Sequence, residues 1–223
     1  MPLRITPLVN GEYYHVYNRG VALQPIYFTK KAHERFLLCL SYYRFNNLPF
    51  KLSRLLQISA DEREKTIKEL EKLNDKVVEL IAFCLMPNHF HILIKQVSEG
   101  GTSKFMKQIT DSYTKYFNTK NERIGPLFQG AFKAVRIEND EQLIHLSRYI
   151  HLNPLVSYLV RESDFRDYPW SSLRHYLDGD YSLVNPKIVL DSFKTPKAYL
   201  KFVLNQADYG KKLEGIKHLI IEK

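Results

Sequence analysis

The order in which strand-like and helix-like segments alternate is the feature that most constrains this fold. The run Glu12–Arg19 is rich in aromatic and β-branched residues, which is typical of a strand. Apolar residues then recur at helical spacing over residues 32–45. Two further strand-like runs, residues 76–86 and 89–97, are separated by Pro87-Asn88, a pair suited to a tight turn. They predict an antiparallel hairpin.

A second helix and a fourth strand follow this hairpin. Residues 100–118 have the apolar spacing of an amphipathic helix, and Thr102 or Ser103 is its expected N-cap. Residues 126–137 have the pattern of a strand interrupted at Gly130, where a bulge or a close backbone approach is expected.

The last patterned segment, residues 139–154, predicts one more helix. Asn139 and Gln142 have capping-box spacing, and Pro154 is expected to end the helix. The complete order is βαββαβ followed by a helix, which predicts an α+β, ferredoxin-like sandwich with an antiparallel sheet. In that topology the strand at 89–97 lies beside the strand at 12–19 in the sheet centre.

The remaining segments lie outside this pattern. Residues 50–76 combine a capping signal, Ser59 followed by Glu62, with mixed charges, and they predict a solvated helical insertion. We expect a catalytic domain over residues 1–160 and an extension of undetermined structure over residues 161–223.

His89 and His91 are the most compact pair of potential metal ligands. Successive side chains of a strand point to opposite faces, so both imidazoles project from one face while Phe90 enters the core. Two imidazoles placed in this way can reach one ion. Two surface histidines that bind nothing are the alternative interpretation.

The helix at 139–154 carries a second group of candidate residues. Tyr149 and Asn153 are one helical turn apart, and both border the apolar stripe of that helix. His145, one turn before Tyr149, shares the same side, whereas His151 points to nearly the opposite side. A packed aromatic whose hydroxyl reaches solvent is the alternative for Tyr149.

Five short motifs together resemble a known family. "LMPNHFHILI" followed by "RYIHLNP" is similar to the single-tyrosine HUH transposases of insertion sequences, and most similar to the REP-associated tyrosine transposase group. The resemblance also includes "YYHVYNRG", "GPLFQGAFK" and "DYPWSS", in order, over residues 12 to about 175.

This resemblance implies a role for each candidate. His89 and His91 would be metal ligands, Tyr149 the nucleophile and Asn153 the third protein ligand, with His145 as the fallback. Family members often have glutamine at the position of Asn153, so this chain has a shorter side chain there. The implied cofactor is a divalent metal, Mg²⁺ or Mn²⁺. The implied reaction is cleavage and joining of single-stranded DNA through a 5′-phosphotyrosine intermediate, in DNA transposition or on repetitive hairpin elements.

Basic residues provide candidate DNA contacts. The chain has 33 Lys and Arg against 24 Asp and Glu, a net charge of +9, which favours an anionic partner. Contacts to phosphates position DNA without reading its sequence. The candidates near the predicted strands and helices are Arg19, Asn18, Lys104, Lys107, Lys133 and Arg136.

Composition excludes several classes of protein. Two cysteines provide neither a disulfide framework nor a four-thiolate zinc site, and no apolar run approaches the ~20 residues of a membrane span. We therefore expect a cytoplasmic protein. The family resemblance implies a monomer or homodimer that binds single-stranded DNA with a hairpin. A hairpin-binding module without catalysis is an alternative. An unrelated metallohydrolase is another, but the spacing of Asp111, Glu138 and Asp140 favours none of them as a further ligand.

Overall fold

The computed structural model describes residues 7–208 and 210–211 and contains the predicted order of elements. Its four strands and the principal helices, in chain order, are β1 (Tyr13–Arg19), α1 (Lys30–Tyr43), α2 (Leu52–Leu55), α3 (Ala60–Leu73), β2 (Val78–Met86), β3 (His89–Gln96), α4 (Gly101–Lys120), β4 (Lys133–Arg136) and α5 (Asp140–Val156). Four shorter helices follow, namely α6 (Glu162–Phe165), α7 (Leu173–Asp178), α8 (Lys187–Leu190) and α9 (Pro196–Leu204).

The sheet confirms the ferredoxin-like prediction. Its strand order is β2-β3-β1-β4, so the two strands expected at the centre are neighbours there. Strand β4 pairs antiparallel with β1, with Tyr14 opposite Arg136 and Tyr17 opposite Lys133. Hydrophobic residues of the strands and helices form the core, including Tyr14, Phe36 and Phe90.

The chain forms two compact units, and β2 and β3 contribute to both. Of the described residues, the first contains those up to 79, 87–89 and 94–136, and the second contains 80–86, 90–93 and those from 137 onward. The boundary between the units therefore falls within two strands, and the division at residue 160 stays a prediction.

In the first unit, α1 and α4 pack on each other through aromatic side chains. The ring of Tyr113 on α4 meets Phe36 on α1 edge-on, with centroids 5.1 Å apart, and its hydroxyl donates to the backbone carbonyl of Ile26. The predicted insertion is helical and consists of α2 and α3. The expected capping box is present, because Ser59 accepts from the backbone N–H of Glu62 and the Glu62 carboxylate accepts from the N–H of Ser59.

In the second unit, the segment after α6 runs beside the edge strand β2. The N–H of Leu85 donates to the carbonyl of Trp170 at 2.8 Å, and the N–H of Ser172 donates to the carbonyl of Phe83 at 3.0 Å. This pairing satisfies backbone groups that an edge strand otherwise exposes. The motif "DYPWSS" therefore has a structural role.

Two predicted helix boundaries were wrong. Helix α4 begins at Gly101, after the left-handed residue Gly100, and neither Thr102 nor Ser103 caps it. The side chain of Gln96 accepts the N–H of Thr102 in place of a local cap. Helix α5 continues through Pro154 to Val156, where the buried side chains of Leu152 and Leu155 hold the last turn although proline removes one helical hydrogen bond.

The fourth strand is shorter than predicted. Only Lys133–Arg136 is a strand, and Phe128 forms an isolated bridge to Gly20. Gly130 lies between them with φ of +65°, a left-handed conformation that favours glycine, so the interruption predicted at this residue is confirmed. Among the residues that the structure describes, no helix has the length and apolar character needed to cross a membrane.

The close packing of Gly101, at the start of α4, can be tested by substitution. A Cβ atom on Gly101 would lie 2.1 Å from the backbone carbonyl oxygen of Val77, so the backbone must shift to accept it. We expect Gly101→Ala to lower the free energy of unfolding by about 1–3 kcal/mol, measured by urea denaturation. Ser103→Ala, at an exposed position in the same turn, is the control and should change it little. Equal effects of the two substitutions would contradict this packing argument.

Candidate active site

The turn between β2 and β3 orients His89. The side-chain N–H₂ of Asn88 donates to the carbonyl of Leu23 at 3.1 Å, and its Oδ1 lies 2.6 Å from Nδ1 of His89. Because the Asn88 amide has its oxygen toward the imidazole, Nδ1 of His89 is the protonated nitrogen. The lone pair is then on Nε2, and an imidazole held in this way by an outer partner is a typical metal ligand.

His91 lies two residues further along β3 and therefore projects from the same face of the strand as His89. Its ring is in edge-on contact with Tyr149 of α5, with ring centroids 5.4 Å apart and planes at 79°. His91 is buried, whereas Tyr149 is 44% exposed. The structure thus brings the predicted nucleophile into contact with a predicted ligand and leaves that tyrosine accessible to a substrate.

Asn153 lies one turn after Tyr149 and is buried. Its side-chain nitrogen donates to the carbonyl of Tyr149 at 2.7 Å, so the amide oxygen is the atom of this side chain with the chemistry of a metal ligand. The same bond ties Asn153 to the turn that carries the tyrosine.

His145 is directed to other partners. Its Nδ1 is 2.6 Å from an Nη of Arg148, and its ring is 5.6 Å from the ring of Phe202 in α9. Sharing a side of the helix with Tyr149 therefore does not give His145 the same neighbours.

The predicted metal ligands have the right chemistry for a divalent ion, because imidazole nitrogens and amide oxygens both bind such ions in proteins. Within residues 7–208 and 210–211, no group of three or more His, Cys, Asp or Glu side chains is arranged to hold a metal. An assignment of a metal to these residues is therefore a proposal from the chemistry of their side chains.

Arg19 is the predicted DNA contact that the fold places nearest to His89. The N–H of Gly20 donates to the carbonyl of Asn88, and the N–H of Gln96 donates to the carbonyl of Glu12, so β1 and β3 are antiparallel with Arg19 opposite His89. The Nε of Arg19 donates to the side chain of Gln129 and is thereby oriented.

The other predicted DNA contacts have varied environments. The Asn18 amide is buried and bonds to the carbonyl of Gly130 and the N–H of Arg19, so it shapes the end of β1. Arg136 forms an ion pair with Glu12 at 2.7 Å. The ammonium groups of α4 and β4 also have neighbours: Lys104 bonds Asn46, Lys107 pairs with Asp111, and Lys133 lies 6.0 Å from the ring centre of Tyr17.

Sequence reasoning missed an aromatic row on β1. Tyr13, His15 and Tyr17 alternate along the strand and share one face, and the rings of His15 and Tyr17 stack with centroids 4.9 Å apart. Lys95 lies 5.4 Å from the ring centre of Tyr13. The period-two spacing in "EYYHVYNR" was the available signal. Rings and cations in this arrangement are suited to unpaired bases and their phosphates.

A buried hydrogen-bonded chain fixes α5 within the second unit. Nδ1 of His151 donates to the hydroxyl of Tyr199 at 2.7 Å, and that hydroxyl donates to Ser147 at 3.0 Å. On its other side, Nε2 of His151 lies 2.7 Å from the hydroxyl of Ser172, which also accepts the N–H of Phe83. His151 therefore joins the tyrosine helix to α9 and to β2.

Comparison with solved structures gives the same fold. The chain is similar in structure to a REP-associated tyrosine transposase bound to a REP hairpin, with a TM-score of 0.51 and 15% sequence identity, over 83% of this chain and 90% of that one. At this identity the likeness shows the fold alone. No curated protein sequence matches the chain.

A family model matches the middle of the sequence. Residues 53–153 match the family described as "Transposase IS200 like", a range that includes both histidines of β3, Tyr149 and Asn153. The resemblance seen in the motifs is thus confirmed for this segment, which is similar to the IS200-like transposases. The motifs "YYHVYNRG" and "DYPWSS" lie outside the matched range.

The buried chain of hydrogen bonds predicts a pH-dependent stability. Burial, and secondarily the nearby His175, lowers the pKa of His151 to about 3. In the unfolded chain a histidine has a pKa of about 6.5, so between these values the unfolded state binds a proton that the folded state does not. The contribution of neutral His151 to the free energy of unfolding is therefore complete above pH 6.5 and is lost as the pH falls toward 3.

We expect the parent protein and His151→Gln to differ most in their free energy of unfolding near pH 7, and to differ less at pH 5. Urea denaturation at both pH values measures this difference. His15, whose pKa burial also lowers to about 4, is present in both proteins and cancels in the comparison. A difference independent of pH would contradict the assignment of a neutral His151.

Proposed function

We propose that this transposase is a metal-dependent endonuclease and strand transferase for single-stranded DNA, with Tyr149 as its nucleophile. The observation that carries the proposal is the contact between the accessible ring of Tyr149 and His91, which shares a strand face with His89. The match to IS200-like transposases supports it, because that match includes all three residues.

The proposed reaction is a transesterification. The phenolic oxygen of Tyr149 attacks the scissile phosphorus and forms a P–O bond while its proton passes to solvent or a base. The bond from phosphorus to the 3′ oxygen breaks, and that oxygen takes up a proton as a free hydroxyl. The 5′ side remains as a phosphotyrosine, so the ester is conserved and a second 3′-hydroxyl can reverse the step without ATP.

His89, His91 and the amide oxygen of Asn153 are the proposed ligands of Mg²⁺ or Mn²⁺. When bound, the ion supplies charge that polarises the scissile phosphate and stabilises the leaving oxygen. Asn88 keeps Nε2 of His89 available for this role, because it holds the other nitrogen of the ring.

The proposed substrate is a DNA hairpin with a single-stranded flank, used in transposition or at repetitive hairpin elements. The structural relative is bound to a REP hairpin, which supports this substrate class. In this chain, the oriented guanidinium of Arg19 opposite His89 and the ring–cation face of β1 are suited to phosphates and unpaired bases.

The nucleophile is tested by covalent capture. We expect Tyr149→Phe to abolish the protein–DNA adduct formed with labelled hairpin oligonucleotides and Mn²⁺ on a denaturing gel, because the attacking oxygen is removed. Binding of the same oligonucleotide by anisotropy should change less than about threefold, since the ring remains.

Tyr158→Phe is the matched control, because Tyr158 is another accessible tyrosine, 69% exposed, nine residues further along the chain. It should form the adduct at the parent rate. An adduct that persists in Tyr149→Phe would refute the assigned nucleophile. Binding without any metal-dependent adduct in the parent protein would instead identify a hairpin-binding module.

The metal ligands are tested by His89→Ala. We expect adduct formation to fall by at least about a hundredfold, in line with the loss of an electrostatic contribution to catalysis, with unchanged circular dichroism. His33→Ala, at a histidine of α1 that stacks on Tyr27, is the control and should retain the adduct. Parent-like, Mn²⁺-dependent adduct formation by His89→Ala would exclude His89 as a ligand.

A further inference from the structure

A groove of about 740 Å³ lies in the first unit between α1, α4 and the start of the insertion, and the proposed chemistry does not use it. Neither the two histidines nor Tyr149 line it. Its walls carry five cations and one carboxylate, in the side chains Arg35, Lys51, Lys107, Lys115, Lys120 and Asp111.

The single carboxylate does not neutralise the groove. Asp111 is already paired with Lys107 within α4. In the part of the chain that the structure describes, neither Lys51 nor Lys115 forms an ion pair within 4.0 Å. The lining therefore has a positive charge that no protein group compensates.

Two further cations are concentrated on one ring. The guanidinium of Arg35 lies 5.4 Å from the ring centre of Tyr116, and the ammonium of Lys120 lies 5.8 Å from the same centre. Each interaction with the ring is favourable, but the two positive charges repel each other. An anion in the groove would relieve this repulsion.

The polar groups of the lining are also incompletely paired. Nε of Arg35 and Oε1 of Gln108 are both buried without a hydrogen-bond partner among the described residues. Buried polar atoms are normally paired in proteins, so such atoms call for an explanation. Both belong to residues that line the groove.

The insertion forms a wall that is anchored in several places. The hydroxyl of Tyr42 on α1 donates to the carbonyl of Phe50, and the hydroxyl of Tyr43 accepts the N–H of Leu52. The guanidinium of Arg63 on α3 donates to three carbonyls, one at the end of α2 and two in the loop that follows it. Lys51 is therefore held at the rim by structure on both sides of it.

The length of the groove indicates what occupies it. The lining residues of α4 extend from Lys107 to Lys120, and 13 steps along a helix span about 20 Å. One strand of a nucleic acid duplex carries a phosphate about every 3.4 Å along its axis, so about six phosphates match this length. A single phosphate ion would meet only a small part of the charge.

We propose that this groove is a nucleic-acid backbone site, in which Arg35, Lys51, Lys115 and Lys120 contact phosphates of the bound hairpin. It gives the insertion a function, namely to supply one wall of the site. This inference rests on the proposed binding of a nucleic acid but not on cleavage by Tyr149.

The test uses the full chain with Tyr149→Phe, so that binding is measured without cleavage. Lys51→Gln and Lys115→Gln are introduced together, and the probe is a fluorescein-labelled DNA hairpin with a single-stranded flank. We expect about tenfold weaker binding and a slope of log affinity against log salt that is smaller by about 2, because each substitution removes one ammonium–phosphate interaction.

Lys65→Gln with Lys72→Gln is the matched control. This pair removes the same number of positive charges, from α3 of the insertion and outside the groove. It should leave both affinity and slope near the parent values, and all variants should have the same thermal midpoint. Equal losses in the two double variants would overturn the proposal, because they would show an effect of net charge alone.

A second arm distinguishes a polymer from a small phosphate compound. Inorganic phosphate and dAMP are added as competitors at constant ionic strength, and we expect no displacement of the hairpin at millimolar concentration. Displacement by either that depends on Lys51 and Lys115 would overturn the backbone site in favour of a small-anion site. Failure of the Tyr149 adduct in the parent protein would refute the proposed reaction and leave the salt-slope result intact.

Discussion

The turn at Pro87 and Asn88 is the constraint on which the candidate site depends. Its carbonyls accept the N–H groups of Ile26 and Gly20, so the turn is bound to the segment that follows β1. This fixes the register of β3 against β1. Because strand side chains alternate, a slip of one residue would turn both histidines to the opposite face. The same turn orients the imidazole of His89 through the side chain of Asn88. One turn therefore sets both the register of β3 and the orientation of this ring.

The position of Tyr149 depends on a different set of bonds. Helix α5 is held by His151, which is buried and bonded on both ring nitrogens. The partners, Tyr199 and Ser172, come from the segment after residue 160, and of the two only Ser172 belongs to a recognised motif, "DYPWSS". This segment is thus part of what places Tyr149, the proposed nucleophile, in the second unit, in addition to covering the edge of β2. A neutral histidine is suited to this position because a charged one would be costly to bury.

Electrostatics distinguishes two kinds of basic residue in this chain. Arg136 and Lys107 are paired with carboxylates, and exposed pairs of this kind contribute little to stability or binding. Lys51, Lys115 and the two cations on Tyr116 share a groove in which one carboxylate is already engaged. The number of lysines in the sequence does not distinguish these two groups. The difference depends on whether an acidic side chain lies beside each cation in the folded chain.

Much of the fold could be read from the sequence, because it depends on local patterns. Alternation and helical spacing predicted the βαββαβ order, the hairpin at Pro87-Asn88 and the common face of His89 and His91, since strand and helix periods are properties of the backbone. The capping box at Ser59 could be predicted for the same reason, because it depends on two residues three positions apart. The tertiary structure decided the rest: the cap of α4 by Gln96, the continuation of α5 past Pro154, the contact of Tyr149 with His91, and the different surroundings of His145. The contact of Tyr149 with His91 and that of His145 with Phe202 join residues distant in the chain, and periodicity does not report which distant side chains meet.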